Sequence, residues 1–205
     1  FISGDGNNDS QLSYTGTLVN ILNSINTITF IPENNYNGEV DVQVSISDLG
    51  GNGTGGTLVE SSQFSVTVSS VNDAPEITSP GSQSDNEDSQ FSIYGLSVSD
   101  VDASETTNQA KITLSANNGQ LSLFTIENLT FDSGDGILDS EMIFTGLIPD
   151  LNSALNGFLF LGNSNYNGID AITILIDDLG NSGEGNQLNT SIDMAINLNP
   201  INDAP

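Results

Sequence analysis

Short runs of alternating apolar and polar residues, bounded by Gly, Asn, Asp and Ser, recur along the chain. Alternation with a period of two residues is typical of strands that bury one face. Many short strands between turns of this kind predict an all-β sandwich. Within residues 76–205, strands are predicted at 90–96, 111–116, 120–126, 172–176 and 191–198.

Two details refine this pattern. The sequence Asn-Asn-Gly at 117–119 predicts a hairpin turn between two of these strands. In the last strand the apolar positions alternate inward, and an earlier run at 64–68 keeps the same phase. Those inward positions are Ile192, Met194, Ile196 and Leu198, matched earlier by Phe64, Val66 and Val68.

One short helix is predicted between positions 149 and 157, where a proline suits the first turn and a glycine can close the end. Its apolar face would consist of Leu151, Ala154 and Leu155, spaced i, i+3 and i+4. The stretch Leu18–Ile25 keeps part of the same face. We expect this helix to plug the sandwich rather than to carry function.

An internal repeat organises the chain. Residues 1–75 align without a gap with residues 131–205, and 27 of the 75 positions are identical. The repeat predicts two domains: the C-terminal part of one repeat at 1–75, lacking its first strands, and one complete repeat at 76–205. The matches cluster in Ser-Gly-Asp-Gly (3–6 and 133–136), Asn-Tyr-Asn-Gly (35–38 and 165–168), Asp-Leu-Gly (48–50 and 178–180) and Asn-Asp-Ala-Pro (72–75 and 202–205).

The charge balance excludes some classes of binding partner. The 205 residues include 27 carboxylates against the single base Lys111, for a formal net charge of −26, with neither cysteine nor histidine. Phosphate binding depends on Lys and Arg, so nucleic acid is excluded, and an anionic membrane surface would repel the chain. Since no apolar run approaches the length of a membrane span, membrane insertion is not expected either.

Catalysis is not expected. General bases and nucleophiles reduce to carboxylates, hydroxyls and one lysine. Paired carboxylates could hydrolyse glycosides, but the sugar-holding cleft of such enzymes usually uses Trp, and this chain has none. The sequence therefore indicates a structural or binding protein.

The order of the repeated motifs resembles a known family. Residues 30–38 and 40–50, followed by a strand that ends in Val-Asn-Asp-Ala-Pro, resemble the cadherin-like tandem repeats of giant bacterial surface adhesins. The resemblance implies tandem cadherin-like, Ig-like Greek-key β-sandwich domains, each with one short helix. It also implies an extracellular location at the cell surface, with Ca²⁺ bound where one domain meets the next.

The resemblance further implies which residues would hold calcium. Two departures remove carboxylates: Ser70 and Pro200 replace the leading Asp of the cadherin linker, and Asn-Tyr-Asn-Gly stands near the place of a Leu-Asp-Arg-Glu motif. We therefore expect one or two ions per junction. The implied ligands are Asn72 and Asp73 with Asp100, Asp102 and Asp178 at the first junction, Glu87 with Asn202 and Asp203 at the next, and Asp48 at the top of the first repeat.

Elementary chemistry allows two interpretations of these residues. Ca²⁺ takes six to eight oxygen ligands from carboxylates, amides, backbone and water, and an Asp-x-Asp pair can supply several. Alternatively, the same Asp residues only form turns by binding their own backbone. For a second acidic patch, formed by Asp132, Asp135, Asp139 and Glu141, a solvated loop is the favoured interpretation.

Two functions follow as hypotheses. The first is a calcium-stiffened stalk or filament, in which neighbouring repeats of the same protein are the partners and copies self-associate, for example by donor-strand exchange with residues 1–75. The alternative is a carbohydrate-binding module with a calcium-assisted site, directed at a cell-surface or carbohydrate target. Its signature would be an exposed aromatic platform, for which the candidates are Tyr94, Phe124 and Tyr166.

Overall fold

The computed structural model describes residues 1–51, 53–103, 108–180 and 183–203. It divides the chain into two compact units, Phe1–Val68 and Ser69–Pro205, called here the first and the second unit. The first linker, expected at the end of the first repeat, groups with the second unit. The end of the second linker, residues 204 and 205, lies outside the described residues.

The described residues of the first unit form one helix and one strand pair. Helix α1 (Leu18–Ile25) begins after Thr17, whose hydroxyl accepts a hydrogen bond from the backbone N–H of Asn20 at 3.4 Å. Strands β1 (Gly38–Ser47) and β2 (Val59–Val68) pair antiparallel over their whole length. The helix therefore occupies the stretch expected from the repeat.

The second unit holds the remaining elements. Among its described residues the strands form sheets in the orders β4-β13-β12-β7-β10-β9, β5-β11-β8 and β3-β6. All neighbours are antiparallel except β13 and β4, which are parallel. The elements are β3 (Glu76–Thr78), β4 (Gln83–Asn86), β5 (Gln90–Ile93), β6 (Ser97–Ser99), β7 (Gln109–Ala116), β8 (Gly119–Ser122), β9 (Thr130–Ser133), β10 (Glu141–Leu147), α2 (Ile148–Leu155), β11 (Phe158–Gly162), β12 (Gly168–Asp177) and β13 (Asn189–Asn199).

The six-stranded and three-stranded sheets of the second unit share one hydrophobic core. Ile112 and Phe144 from the larger sheet and Phe158 and Phe160 from the smaller one are fully buried in the same cluster. Burying each such side chain contributes roughly 1.5–3 kcal/mol. The all-β sandwich predicted from the sequence is therefore confirmed, whereas its assignment to the cadherin-like topology stays a prediction.

Helix α2 closes this core. Leu151, Ala154 and Leu155 are fully buried, and Pro149 lies in the first turn, as the sequence predicts. Since the side chains on the other faces of α2 are not buried, the helix acts as a plug at the end of the sandwich. No helix among the described residues has the length and apolar character to cross a membrane.

Five of the predictions about strands need correction. The turn at 117–119 does not close a hairpin, because β7 and β8 lie in different sheets. Strand β8 instead pairs with β11, and Gly119 lies so close to the Phe160 ring that a side-chain carbon would overlap it. Strand β8 also ends at Ser122 and β5 at Ile93, both earlier than predicted, whereas β12 and β13 extend past both predicted ends.

The repeat is structural as well as sequential. Strand pair β1–β2 starts at Gly38↔Val68, and β12–β13 starts at Gly168↔Leu198, the same register displaced by 130 positions. Helices α1 and α2 have the same displacement. The helix and this strand pair of the first unit can therefore be compared position by position with those of the second unit.

Candidate metal centre

The first linker lies on the loop that follows β12. Val71 forms a parallel β-bridge with Glu184. The Asn72 N–H donates to the Glu184 carbonyl at 3.1 Å, and the Glu184 N–H donates to the Ser70 carbonyl at 2.8 Å. Gly183, with φ +74°, lies directly under this contact, because a side-chain carbon there would overlap the backbone of Val71 and Asn72. Backbone contacts thus fix the linker in place.

These contacts bury the side chain of Asn72, which is only 8 % exposed. Its Nδ2 atom donates to Oδ2 of Asp178 at 2.6 Å and to the Asn186 carbonyl at 3.0 Å. Its Oδ1 atom is buried and has no hydrogen-bond partner among the described residues. A buried acceptor of this kind costs about 1–3 kcal/mol unless a ligand satisfies it.

Asp178 both stabilises a turn and belongs, with Asn72, to a buried polar cluster at the first linker. Its Oδ1 atom accepts the N–H of Gly180 at 2.8 Å and of Leu188 at 2.9 Å. These bonds hold the loop closed at the end of β12. The side chain is 3 % exposed, so a carboxylate is buried next to the Asn72 amide.

Asp100 and Asp102 enter the same cluster from the loop after β6. The Asp102 N–H donates to Oδ1 of Asp100 at 2.9 Å, which is the turn contact expected of an Asp-x-Asp pair. Oδ2 of Asp102 accepts the N–H of Asp73 at 2.6 Å, and the Asp102 side chain is 4 % exposed. The structure therefore links the linker to both acidic loops.

The environment of Asp100 disfavours its charge. Burial raises the pKa of Asp100 above its ordinary value of 3.8, and the negative charges of Asp102 and Asp178 raise it further. The backbone N–H groups of Asp102 and Ala103 offset part of this effect. Mutual repulsion among these carboxylates is what a bound cation would relieve.

The donor set fits a hard cation in part. All candidate ligands are oxygens, which Ca²⁺ prefers, and the orphaned Oδ1 of Asn72 lies beside a buried carboxylate. However, no group of three or more acidic side chains in the described part of the chain is arranged to hold a metal ion. An ion here would need the Asn72 amide oxygen, backbone carbonyls or water as well as carboxylates.

The residues implied for the next junction lie apart from this cluster. Glu87 is 3 % exposed; its Oε1 atom accepts the Ile201 N–H at 2.8 Å, and Oε2 accepts from Nδ2 of Asn167 at 3.1 Å. Asn202 and Asp203 follow directly and are exposed. Glu87 thus holds the start of the second linker, and a metal role for it stays a prediction.

Asp48 reproduces the turn contacts of Asp178 in the first unit. Its Oδ1 atom accepts the N–H of Gly50 at 2.8 Å and of Leu58 at 2.9 Å. These hydrogen bonds lower the pKa of Asp48 below its ordinary value. The first unit therefore keeps the turn chemistry and offers a direct comparison for the role of the linker.

Sequence reasoning missed two buried carboxylates and the backbone partners of Asn72. Asp170 accepts from the N–H of Asn118 at 3.0 Å, and Asp177 accepts from the N–H of Leu179 at 2.8 Å. The glycines at 183 and 185 were the available signal for the docked loop. Comparison of the two repeats offered another signal, because Asp170 occupies the position where the first repeat has the apolar residue Val40.

The second acidic patch has a turn role. Oδ2 of Asp139 accepts the N–H groups of Asp135 at 3.0 Å and Gly136 at 2.8 Å, and Asp9 does the same in the first unit. Asp132 lies 3.9 Å from Nζ of Lys111. These contacts agree with the solvated loop expected from the sequence.

Comparisons with known proteins add little. No protein-family model matches the sequence, and no curated protein matches it. The structure is similar to a cohesin module from the family 33 glycoside hydrolase of Clostridium perfringens ATCC13124, with a TM-score of 0.31 and 15 % identity over 63 % of this chain and 100 % of that chain. A TM-score this low carries no argument, so the sandwich assignment depends on the sheets and the shared core.

Proposed function

We propose that the chain is part of an extracellular, calcium-stiffened stalk of a bacterial surface adhesin or filament, which spaces or assembles rather than catalyses. The observation that carries this proposal is the buried Asn72 side chain, bonded to Asp178 and left with an orphaned oxygen. Calcium shared by that oxygen and the acidic loops would fasten the linker to the second unit.

The stabilisation expected from one ion is modest but measurable. Extracellular calcium modules bind at about 0.1–1 mM. At about a ten- to hundredfold excess, one site stabilises the folded form by roughly 1.4–2.7 kcal/mol. For a unit of this size that corresponds to a rise in Tm of roughly 3–10 °C.

Thermal unfolding in EDTA, in millimolar CaCl₂ and in MgCl₂ tests the proposal. Both methionines of the chain, Met142 and Met194, are buried in the second unit, so their methyl NMR signals report that unit alone. We expect a calcium-specific rise in its melting temperature that Asp102→Asn abolishes. Equal melting temperatures in the three solutions would mean that the carboxylates only form turns.

A carbohydrate-binding module is the second candidate, favoured by two exposed aromatic rings near the end of α2. Tyr94 is 63 % and Phe124 69 % exposed. The Tyr94 ring lies against Gly157, and the Phe124 N–H donates to the Ala154 carbonyl at 3.0 Å. Tyr166, in contrast, is half-buried, and its hydroxyl binds the Ile169 carbonyl, a structural role that Tyr36 repeats.

Affinity electrophoresis through gels that contain neutral or acidic polysaccharides tests the second candidate. Retardation of the chain that is lost in a Tyr94→Ala/Phe124→Ala variant would support carbohydrate binding. Phe64→Ala, which removes an exposed ring of the first unit, serves as the matched control. Unretarded migration in every polysaccharide would remove this candidate and leave the calcium proposal untouched.

A further inference from the structure

The first unit exposes apolar side chains at positions that are core positions of the second unit. These residues are between 38 % and 61 % exposed, whereas the residues 130 positions later are at most 2 % exposed. The pairs are Ile28 and Phe158, Phe30 and Phe160, Val44 and Ile174, Ile46 and Ile176, and Phe64 and Met194. We call the first-unit members of these pairs the apolar face.

A different register of the strand pair does not explain the exposure of Val44, Ile46 and Phe64. Strands β1 and β2 have the register of β12 and β13 from the first pair to Ser47↔Val59 and Asp177↔Asn189. The bridge Ser3↔Ser13 likewise matches the pair Ser133↔Ile143. The strand pair is therefore the same in the two units, whereas residues 28–32 form no strand where Phe158–Gly162 forms β11.

The second unit shows what covers the equivalent face. Strand β7 pairs with β12 from Ile172↔Ala116 to Asp177↔Lys111, and β11 lies between β5 and β8. In the first unit, β1 is paired with β2 alone among the described residues. All three covering strands, β5, β7 and β8, belong to the part of the second unit that precedes Phe131.

The loop that follows β1 differs in the same way from the loop that follows β12. In the second unit a side-chain carbon at Gly183 would overlap the docked linker, whereas at Gly53 it would meet no atom within 4 Å. Among its described residues, the first unit thus has exposed core positions, a strand edge that no other strand pairs and open space at Gly53, in the places where the second unit binds residues 69–130 of its own sequence.

We propose that the apolar face is the acceptor for a polypeptide segment of the same kind as residues 69–130. The strand equivalent to β7 pairs along β1, and its inward residues cover Val44 and Ile46. A second complete copy of the chain is disfavoured as the occupant, because its own β7 is already paired on both edges and each copy carries a net charge of −26.

Fusion of a second copy of residues 69–130 to the N-terminus of the full chain tests the proposal. Hydrogen exchange, measured in EDTA so that calcium plays no part, reports the amides of β1 between 42 and 47. We expect their protection to rise by about 100-fold or more, and calorimetry to show a larger unfolding enthalpy. Unchanged exchange of these amides in the fusion would overturn the proposal.

The control carries Ile112→Asp and Leu114→Asp in the added copy only. These changes destroy the inward face of the added strand and leave the original second unit intact, so protection of β1 should fall back to that of the unfused chain. Protection of β1 in the unfused chain that increases with concentration, together with dimer formation in sedimentation, would instead identify a second copy as the occupant and overturn the proposal.

Discussion

The Nδ2 atom of Asn72 lies 2.6 Å from Oδ2 of Asp178, while Oδ1 of the same amide has no partner among the described residues. Rotating the amide by 180° would also leave its oxygen unsatisfied, because Oδ1 would then face a carboxylate and the Asn186 carbonyl, which accept hydrogen bonds and donate none. A bound cation would satisfy the amide oxygen and the carboxylate together. The proposed ion site is therefore tested at this pair.

Removal of the Asp178 charge should abolish the calcium response. Asparagine at this position can still accept the turn hydrogen bonds through Oδ1, so the loop is retained while the charge is lost. We expect Asp178→Asn to reduce the calcium-induced rise in Tm of the second unit from roughly 3–10 °C to about zero. The Met142 methyl signal measures this transition.

Asp48→Asn is the matched control for that experiment. Asp48 makes the same two hydrogen bonds in the first unit, and among the described residues no linker side chain forms a hydrogen bond with it. Its substitution should leave the calcium response of the second unit unchanged. Equal loss of response in both variants would mean that overall negative charge, rather than a site at Asn72, causes the effect.

A carboxylate in place of the linker amide should increase calcium dependence. In Asn72→Asp, two carboxylates would lie side by side in a buried position, which destabilises the metal-free second unit by about 1–3 kcal/mol. Calcium should restore most of this loss, so the difference in Tm between EDTA and CaCl₂ should exceed that of the wild type. A variant that is destabilised equally in both solutions would contradict the site.

Asp100 should make the metal-free protein less stable as pH rises. The pKa of Asp100 is raised in the folded state by burial and by its acidic neighbours. The folded state therefore binds this proton more tightly than the unfolded chain, and the resulting stabilisation is present at low pH and lost as pH rises through the folded pKa. In EDTA at pH 7, Asp100→Asn should melt above the wild type.

The advantage of Asp100→Asn should shrink as pH falls through the raised pKa of the wild-type carboxyl, because that carboxyl then takes up its proton. In calcium at pH 7 the order should reverse, since the variant lacks a ligand. Melting curves of both proteins from pH 4 to pH 8, with and without calcium, check the two signs. A pH-independent difference would assign Asp100 to the turn alone.

Gly183 should be essential for docking the linker. In Gly183→Ala the added methyl group would overlap the backbone at Val71 and Asn72, at a positive φ that also strains alanine. In Gly53→Ala only the strain of a positive φ applies, because the space around it is open. We expect Gly183→Ala to cost about 1–3 kcal/mol more than Gly53→Ala and to lose the calcium response, both measured by thermal unfolding.

The elements that local chemistry determines could be predicted from the sequence. Helix Leu18–Ile25 and the inward phase of β13 follow from apolar spacing, which depends only on nearby residues. The turn at 117–119 was assigned to a hairpin because Asn-Asn-Gly permits one. Whether the chain there stays in one sheet or crosses to the other depends on Gly119 meeting Phe160, a contact that no local pattern contains.

The candidate site shows the same division. The Asp-x-Asp pair and the linker could be predicted from the sequence as candidate calcium ligands. The structure joins Asp73 to Asp102 and Asn72 to Asp178 by hydrogen bonds. The carbonyls of Glu184 and Asn186 could not be found, because a backbone acceptor leaves no trace in residue type. Buried Asp170 was missed because its partner, Asn118, is 52 positions away.

Equivalent phenylalanines should respond differently in the two units of this chain. Phe160 is fully buried, so Phe160→Ala should destabilise the second unit by about 3–5 kcal/mol through lost burial and a cavity. Phe30 is 41 % exposed, so Phe30→Ala should cost about 1 kcal/mol or less. Chemical denaturation followed by methyl NMR for the second unit and by hydrogen exchange at β1 for the first measures both. A cost for Phe30→Ala comparable to that for Phe160→Ala would show that the apolar face is already covered in solution.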